Sequence, residues 1–147
     1  MMCNIRQATT NDLIRIAEIE IFNYRMNFYP IFRNDDFYFN ELQVPAVAER
    51  YRNAVDRILV YDDGAVKGFL FAEEQQVKKL FVEPVLHGGA IGSKLLEYAM
   101  QELDVRYLWA LEKNVRAIAF YRRHGFLPTG ERILEEDTDE YLVRLAR

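Results

Sequence analysis

The sequence has few of the residue types and segments that mark particular classes of protein. Cys3 is the only cysteine among 147 residues, so no disulfide can form within the chain and nothing indicates an oxidising compartment. No apolar run approaches the roughly 20 residues that span a bilayer. The amino terminus lacks the basic segment and long apolar run of a signal peptide. These absences favour a cytoplasmic protein that does not bind a membrane.

Linkers and repeats are absent as well. The chain has seven glycines and four prolines, with no Gly/Ser-rich stretch and no low-complexity run. Domains commonly have about 100 to 150 residues, so the length predicts one domain over residues 1–147. Half of the residues are hydrophobic and 14% are aromatic, which suits an ordinary buried core and argues against disorder.

The sequence also lacks an excess of positive charge. Its formal net charge is −4, the opposite of what binding to phosphate backbones requires. Nucleic acid is therefore not an expected partner. An acidic surface would help to attract a cationic substrate, for example an amine.

The spacing of apolar residues predicts an α+β fold. Helical spacing over residues 13–24 is broken only by Glu20, and Pro30 is expected to interrupt regular structure in the aromatic stretch that follows. Asp63-Gly64 between two apolar runs predicts a hairpin. Strands are predicted near residues 4–8, 58–61, 66–74, 76–82, 107–111, 130–134 and 140–145. Helices are predicted near residues 12–26, 45–53 and 116–124, and residues 87–103 are predicted to be a glycine-rich loop that runs into a helix. The order β-α-α-β-β-β-α-β-α-β-β favours a mixed sheet with helices packed on it.

The strongest local feature is a glycine-rich loop that leads into a helix after Pro84. Small residues let main-chain N–H groups approach a ligand, and the positive end of the helix dipole favours a pyrophosphate. The alternative is a tight strand-to-helix turn without a ligand. A P-loop is excluded because Lys94 follows Ser93 instead of preceding it, and a dinucleotide-binding fold is excluded because the loop lies past the middle of a mixed sheet.

Two motifs together resemble the GNAT family of N-acetyltransferases. Residues 87–92 resemble motif A, Q/R-x-x-G-x-G/A, which follows a strand ending in Val-x-Pro. Residues 114–126 resemble motif B, N-x-x-A-x-x-F-Y-x-x-x-G-F. The order of elements matches the family over nearly the whole chain. The resemblance implies a GNAT-like mixed, largely antiparallel sheet, acetyl-CoA as cosubstrate without a metal, and direct transfer of an acetyl group to an amine.

The resemblance also assigns residues to the cofactor. A strand would run beside the pantetheine arm and pair with it through main-chain hydrogen bonds. The loop and first helical turn would face the CoA pyrophosphate, and Asn114 would touch the cofactor or simply cap its helix. The strand residues are Leu80, Phe81 and Val82, and the loop residues are His87, Gly88, Gly89, Ala90, Ile91, Gly92 and Ser93.

Two residues are implied to be catalytic. The Leu80 N–H is expected to donate to the thioester carbonyl, where negative charge grows during attack. Tyr121 matches the family's tyrosine beside the CoA sulfur and would protonate the leaving thiolate, since a phenol keeps its proton at neutral pH. The alternative for Tyr121 is an ordinary aromatic residue of the core, because Ala117, Phe120 and Tyr121 share helical spacing.

The sequence departs from the family pattern at three positions. His87 stands where Gln or Arg is usual, and Ala90 stands where Gly is usual. If position 90 needs a positive φ, alanine costs about 1 kcal/mol there. Gln76 occupies the position at which some family members carry a glutamate that acts as general base, so no general base is assigned. Three glutamates lie nearby in sequence, each expected to be a solvated charge at a strand end: Glu73, Glu74 and Glu112.

The acceptor is left open by the sequence. The family builds its acceptor site from the first helices and the late hairpin, where this chain has an aromatic run (residues 28–39) and an acidic run (residues 135–140). Both suit a cationic amine, but aromatics also close over cores and acidic hairpin tips are commonly solvated. A homodimer is expected by analogy with the family. The alternatives to an enzyme are a non-catalytic acyl-CoA-binding module and a partner-docking subunit.

Overall fold

A computed structural model describes residues 3–86 and 90–147. Its strands are β1 (Ile5–Gln7), β2 (Ile58–Asp62), β3 (Val66–Glu73), β4 (Gln76–Val82), β5 (Tyr107–Leu111), β6 (Leu127–Leu134) and β7 (Tyr141–Ala146). They form one sheet in the order β1-β2-β3-β4-β5-β7-β6. Neighbouring strands are antiparallel except for β4 and β5, which are parallel. The predicted α+β class, with a mixed and largely antiparallel sheet, is confirmed.

Helices connect the strands in the predicted order. They are α1 (Leu13–Asn23), α2 (Tyr29–Phe32), α3 (Val44–Tyr51), α4 (Ile91–Glu102) and α5 (Val115–Arg123). Two π-helical segments, Tyr24–Phe28 and Asp36–Glu41, lie on either side of α2. The predicted interruption at Pro30 was wrong: Pro30 lies in the first turn of α2, where a helix does not need its missing N–H group.

The sheet separates two hydrophobic layers. Because successive side chains of a strand point to opposite faces, Phe69 packs with α1 and α3 while Leu70 packs with α4 and α5. Gly68 lets α4 approach β3 closely, since a Cβ at this position would lie 3.2 Å from both Ile91 and Leu95. Among the described residues, no helix is long and apolar enough to cross a bilayer.

Candidate active site

The sheet opens between its two parallel strands. β4 and β5 are paired only at Gln76–Tyr107 and Val77–Leu108, although β4 continues to Val82. A bulge lies at the same point, because Phe71 and Ala72 of β3 face Lys79 and Val77 and leave Lys78 as an extra residue. A bulge bends its strand and increases the local twist. The two strands therefore diverge beyond Val77 and leave a gap in the sheet.

The main chain of β4 presents donors to this gap. The Glu83 N–H donates to the Lys67 carbonyl over 2.9 Å, so it points toward β3. Successive N–H groups of a strand point in opposite in-plane directions. The Leu80 N–H, an odd number of residues away, therefore points away from β3 and into the gap. This orientation is the one that the predicted contact with a thioester carbonyl requires.

Helix α1 holds the far end of β4 in place where β5 no longer pairs with it. Asn23 is buried, and its Nδ2 donates to the carbonyls of Val82 and Ile19 over 2.8 Å each. Arg15 donates to a Glu83 carboxylate oxygen over 2.7 Å and to the Val66 carbonyl over 2.9 Å. These contacts replace the stabilisation that a second neighbouring strand would give.

A cavity of about 580 Å³ occupies the gap and extends to both faces of the sheet. Its lining residues come from both hydrophobic layers, which is possible because the parted strands leave a passage through the sheet. On the face of α5 the lining includes Leu80, Ala110, Asn114, Ala117 and Tyr121, and on the face of α1 it includes Tyr24, Phe28, Phe37, Tyr38 and Phe81.

Tyr121 combines burial with access to the cavity. The residue is 9% exposed, and its ring makes edge contacts with Phe120 and Phe126 at centroid distances of 5.2 and 6.0 Å. Burial raises the pKa of its phenol well above the ordinary value. Tyr121 therefore holds its proton through neutral and basic pH. The sequence offered a core role and a site role for Tyr121, and its position is compatible with both.

The predicted phosphate-binding segment lies only partly within the described residues. Ala90 precedes α4 with φ 67°, so the positive φ considered from the sequence is present. Ile91, Gly92 and Ser93 form the first turn of α4, beside the end of β4, since a Cβ on Gly92 would lie 3.6 Å from a methyl carbon of Val82. The remaining assigned residues, His87, Gly88 and Gly89, are outside the described residues.

Asn114 caps α5, as one of its two predicted roles requires. Its side-chain oxygen accepts a hydrogen bond from the Ala117 N–H over 3.3 Å. The same residue lines the cavity. The cap and a contact with a ligand are therefore geometrically compatible.

Aromatic rings and carboxylates form the opposite side of the cavity. Tyr24 packs against Phe28 at 4.9 Å and against Phe81 at 5.5 Å between ring centroids. Burial, and then the charge of Glu135, raises the pKa of Tyr38 to about 12. Three acidic residues of the β6–β7 connection also line the cavity: Glu135, Glu136 and Asp137. The aromatic and acidic runs thus meet at one cavity, which the sequence left open.

The glutamates weighed as bases lie outside this lining. Glu73 pairs with Arg57, and Glu74 occupies the β3–β4 turn with φ 50°. Glu112 accepts two hydrogen bonds from Arg132 over 2.9 and 3.0 Å, which lower its pKa. No group of three or more His, Cys, Asp or Glu among residues 3–86 and 90–147 could hold a metal ion.

The fold and the parted strands define an α+β protein with a cleft through its sheet. The profile of the acetyltransferase (GNAT) domain matches residues 45–128, more than half of the chain. The chain therefore belongs to the GNAT acetyltransferase family, which confirms the resemblance seen in the two motifs.

Curated relatives are similar over part of the chain. The peptidyl-lysine N-acetyltransferase YjaB of Salmonella typhimurium is 30% identical over 73 residues, 50% of this chain and 50% of that protein. YjaB of Escherichia coli is 30% identical over 80 residues, 54% of each chain. The chain thus spans about half the length of the curated relatives it matches.

Solved structures share the fold over the whole chain. A PaiA N-acetyltransferase from Thermoplasma acidophilum in complex with coenzyme A has a TM-score of 0.74 at 18% identity, with all of both chains covered. An N-acetyltransferase from Staphylococcus aureus has a TM-score of 0.78 at 16% identity, covering 99% of this chain and 100% of the other. These similarities support the fold and leave the acceptor open.

Proposed function

We propose that this protein is an acetyl-CoA-dependent N-acetyltransferase that transfers the acetyl group directly to a primary amine. The observation that carries the proposal is the cavity between β4 and β5, which is open to both faces of the sheet. A thioester and an amine can enter it from opposite faces and meet at Leu80 and Tyr121. Family membership and the coenzyme A bound to a structural neighbour support the same assignment.

The cofactor is proposed to lie on the α4 and α5 side. The pantetheine arm would take the place that β5 vacates and pair with the β4 main chain, as in strand addition. The pyrophosphate would lie at the start of α4, where N–H groups of the first turn have no helical partner and the dipole favours an anion. Asn114, at the start of α5, would contact the pantetheine.

Two groups of the chain would act on the reacting atoms. The Leu80 N–H would donate to the carbonyl oxygen of the thioester as negative charge grows there. The amine would lose one proton to solvent before its nitrogen attacks the carbonyl carbon, and a second as the amide bond forms. Tyr121 would give its proton to the departing sulfur as the C–S bond breaks and be reprotonated from solvent. Burial disfavours both a phenolate and a thiolate, so a raised phenol pKa is compatible with this transfer.

The acceptor is proposed to be a cationic primary amine, such as a lysine side chain of a peptide. Aromatic faces attract ammonium groups, and the carboxylates of residues 135–137 supply opposite charge at the same cavity. The curated relatives are named as peptidyl-lysine N-acetyltransferases, which supports this acceptor class.

The test is release of CoA thiol from acetyl-CoA in the presence of a lysine-containing peptide. Thiol release should depend on the peptide, and mass spectrometry should find the acetyl group on its lysine. In the matched control peptide, ornithine replaces lysine and its side-chain amine is blocked as an amide. This control peptide has no free side-chain amine. If the protein is protected thermally by coenzyme A but no amine stimulates thiol release, the non-catalytic binding module is supported instead.

A further inference from the structure

Glu20 is a buried charge on the acceptor side of the sheet. It interrupts the apolar stripe of α1 and is 1% exposed. Its Oε1 accepts hydrogen bonds from the Lys79 ammonium over 2.8 Å and from the Tyr51 hydroxyl. Its Oε2 has no hydrogen-bond partner among the described residues. A buried carboxylate is unfavourable unless it is paired, so its position calls for an explanation.

Lys79, the partner of Glu20, belongs to the wall of the cleft. It lines the 580 Å³ cavity and also a neighbouring cavity of about 260 Å³ formed with Glu20 and Tyr51. Its ammonium lies 5.6 Å from the ring centroid of Tyr24 and 5.2 Å from that of Tyr51. Tyr24 also lines the 580 Å³ cavity, so only the ring of Tyr24 lies between the Lys79 ammonium and the proposed amine site.

Two lysines of β4 line the main cavity, and only one of them is compensated. Lys78 is exposed and makes no ion pair with the described residues, whereas Lys79 is paired with Glu20. A free ammonium at this wall would repel a cationic amine. An unscreened unit charge about 10 Å from a bound cation changes the affinity for that cation on the order of fivefold at an intermediate effective dielectric constant.

We propose that Glu20 determines acceptor specificity by neutralising Lys79, so that the amine side of the cleft admits a cation. This inference rests on the proposed function. Lys79 can then line the cavity beside Leu80 on β4 without its positive charge repelling the amine.

The direct test replaces Glu20 by its neutral isostere. In Glu20→Gln the KM for a lysine peptide should rise about fivefold, and the rise should shrink at high salt, while the KM for acetyl-CoA stays within about twofold. The double variant Glu20→Gln with Lys79→Met should restore the amine KM. A loss of kcat that the double variant does not reverse would contradict charge compensation and indicate a purely structural role.

A second comparison of variants does not require the single variant Glu20→Gln to fold. Lys78→Met removes an uncompensated charge and should lower the amine KM several-fold. The double variant Glu20→Gln with Lys79→Met removes both members of the compensated pair, so the net charge at the wall does not change and the amine KM should stay within about twofold. Equal decreases in the two variants would overturn the proposal.

A binding measurement separates this inference from the proposed function. The lysine peptide is titrated into coenzyme A-loaded protein, and its Kd is measured by calorimetry for the unsubstituted protein, for Glu20→Gln and for the double variant Glu20→Gln with Lys79→Met. A weaker Kd in Glu20→Gln, reversed by Lys79→Met, supports the inference even if no acetyl transfer is detected. Identical Kd values in all three proteins would contradict it even if transfer occurs.

Discussion

The two sides of the cleft are built in different ways. The α4 and α5 side depends on main-chain geometry: a bulged strand end, a positive φ at Ala90 and the first turns of two helices. The α1 side depends on side chains carried by π-helical segments and a hairpin connection. Main-chain geometry leaves glycine and capping signatures in a sequence, whereas packed side chains leave only a local composition, here an aromatic run and an acidic run. The cofactor side is therefore recognisable from a motif and the acceptor side is not.

The largest expected effect lies on the reacting atoms at the cofactor side. Tyr121→Phe removes the proposed proton donor and should lower kcat about 100-fold, because general acid catalysis contributes on this order. The KM for acetyl-CoA should stay nearly unchanged, as should the melting temperature, since the ring still packs against Phe120 and Phe126. Steady-state kinetics measure both constants, and Tyr107→Phe, outside the cleft lining, is the matched control. Full activity in Tyr121→Phe would remove the acid role.

A second expected effect tests the main-chain geometry of the cofactor side. Gly68→Ala places a Cβ 3.2 Å from side-chain atoms of Ile91 and Leu95 and from the Phe81 carbonyl oxygen, so these neighbours must move by a few tenths of an ångström. The free energy of unfolding should fall by about 1 to 3 kcal/mol. Gly92→Ala is the control, because its Cβ would make only ordinary contacts of 3.5 and 3.6 Å. Urea unfolding compares the two variants. Equal stabilities of the two variants would show that the close approach of α4 to β3 does not require a glycine at position 68.

The acceptor side should respond through the amine alone. Tyr24→Leu removes an aromatic face from the cavity and should raise the KM for a lysine peptide about fivefold, the effect of losing roughly 1 kcal/mol of cation–π attraction. The KM for acetyl-CoA should not change. Phe39→Leu, an exposed ring outside the lining, is the control for general effects on the aromatic segment. An equal rise in both KM values would mean that the two sides are not separate.

The smallest expected effect concerns the departure from the family motif. Ala90 has φ 67°, which disfavours a residue with a Cβ. Ala90→Gly should increase the free energy of unfolding by up to about 1 kcal/mol, less the entropy that glycine adds to the unfolded chain. Urea unfolding measures the stability and calorimetry measures coenzyme A affinity. A loss of stability would show that this backbone conformation is not strained.

The amount that the sequence predicted follows the same division. The order of helices and strands along the chain, the helix after the glycine-rich loop and the cap at Asn114 follow from periodicity and local chemistry. The bulge at Lys78 gave no signal, because two lysines in a strand look like any exposed pair. The break of the α1 stripe at Glu20 was visible, but its partner Lys79 is 59 residues away and only the fold brings them together. The homodimer and the cytoplasmic location stay predictions.

The central claim is that the thioester lies in the gap between β4 and β5 with the amine arriving from the opposite face. A crystal structure with the unreactive ketone analogue acetonyl-CoA tests it most directly. The ketone oxygen should lie within about 3 Å of the Leu80 nitrogen, with the sulfur beside the Tyr121 hydroxyl. A pantetheine arm bound outside the gap, with Leu80 and Tyr121 both remote from the ketone, would contradict the account.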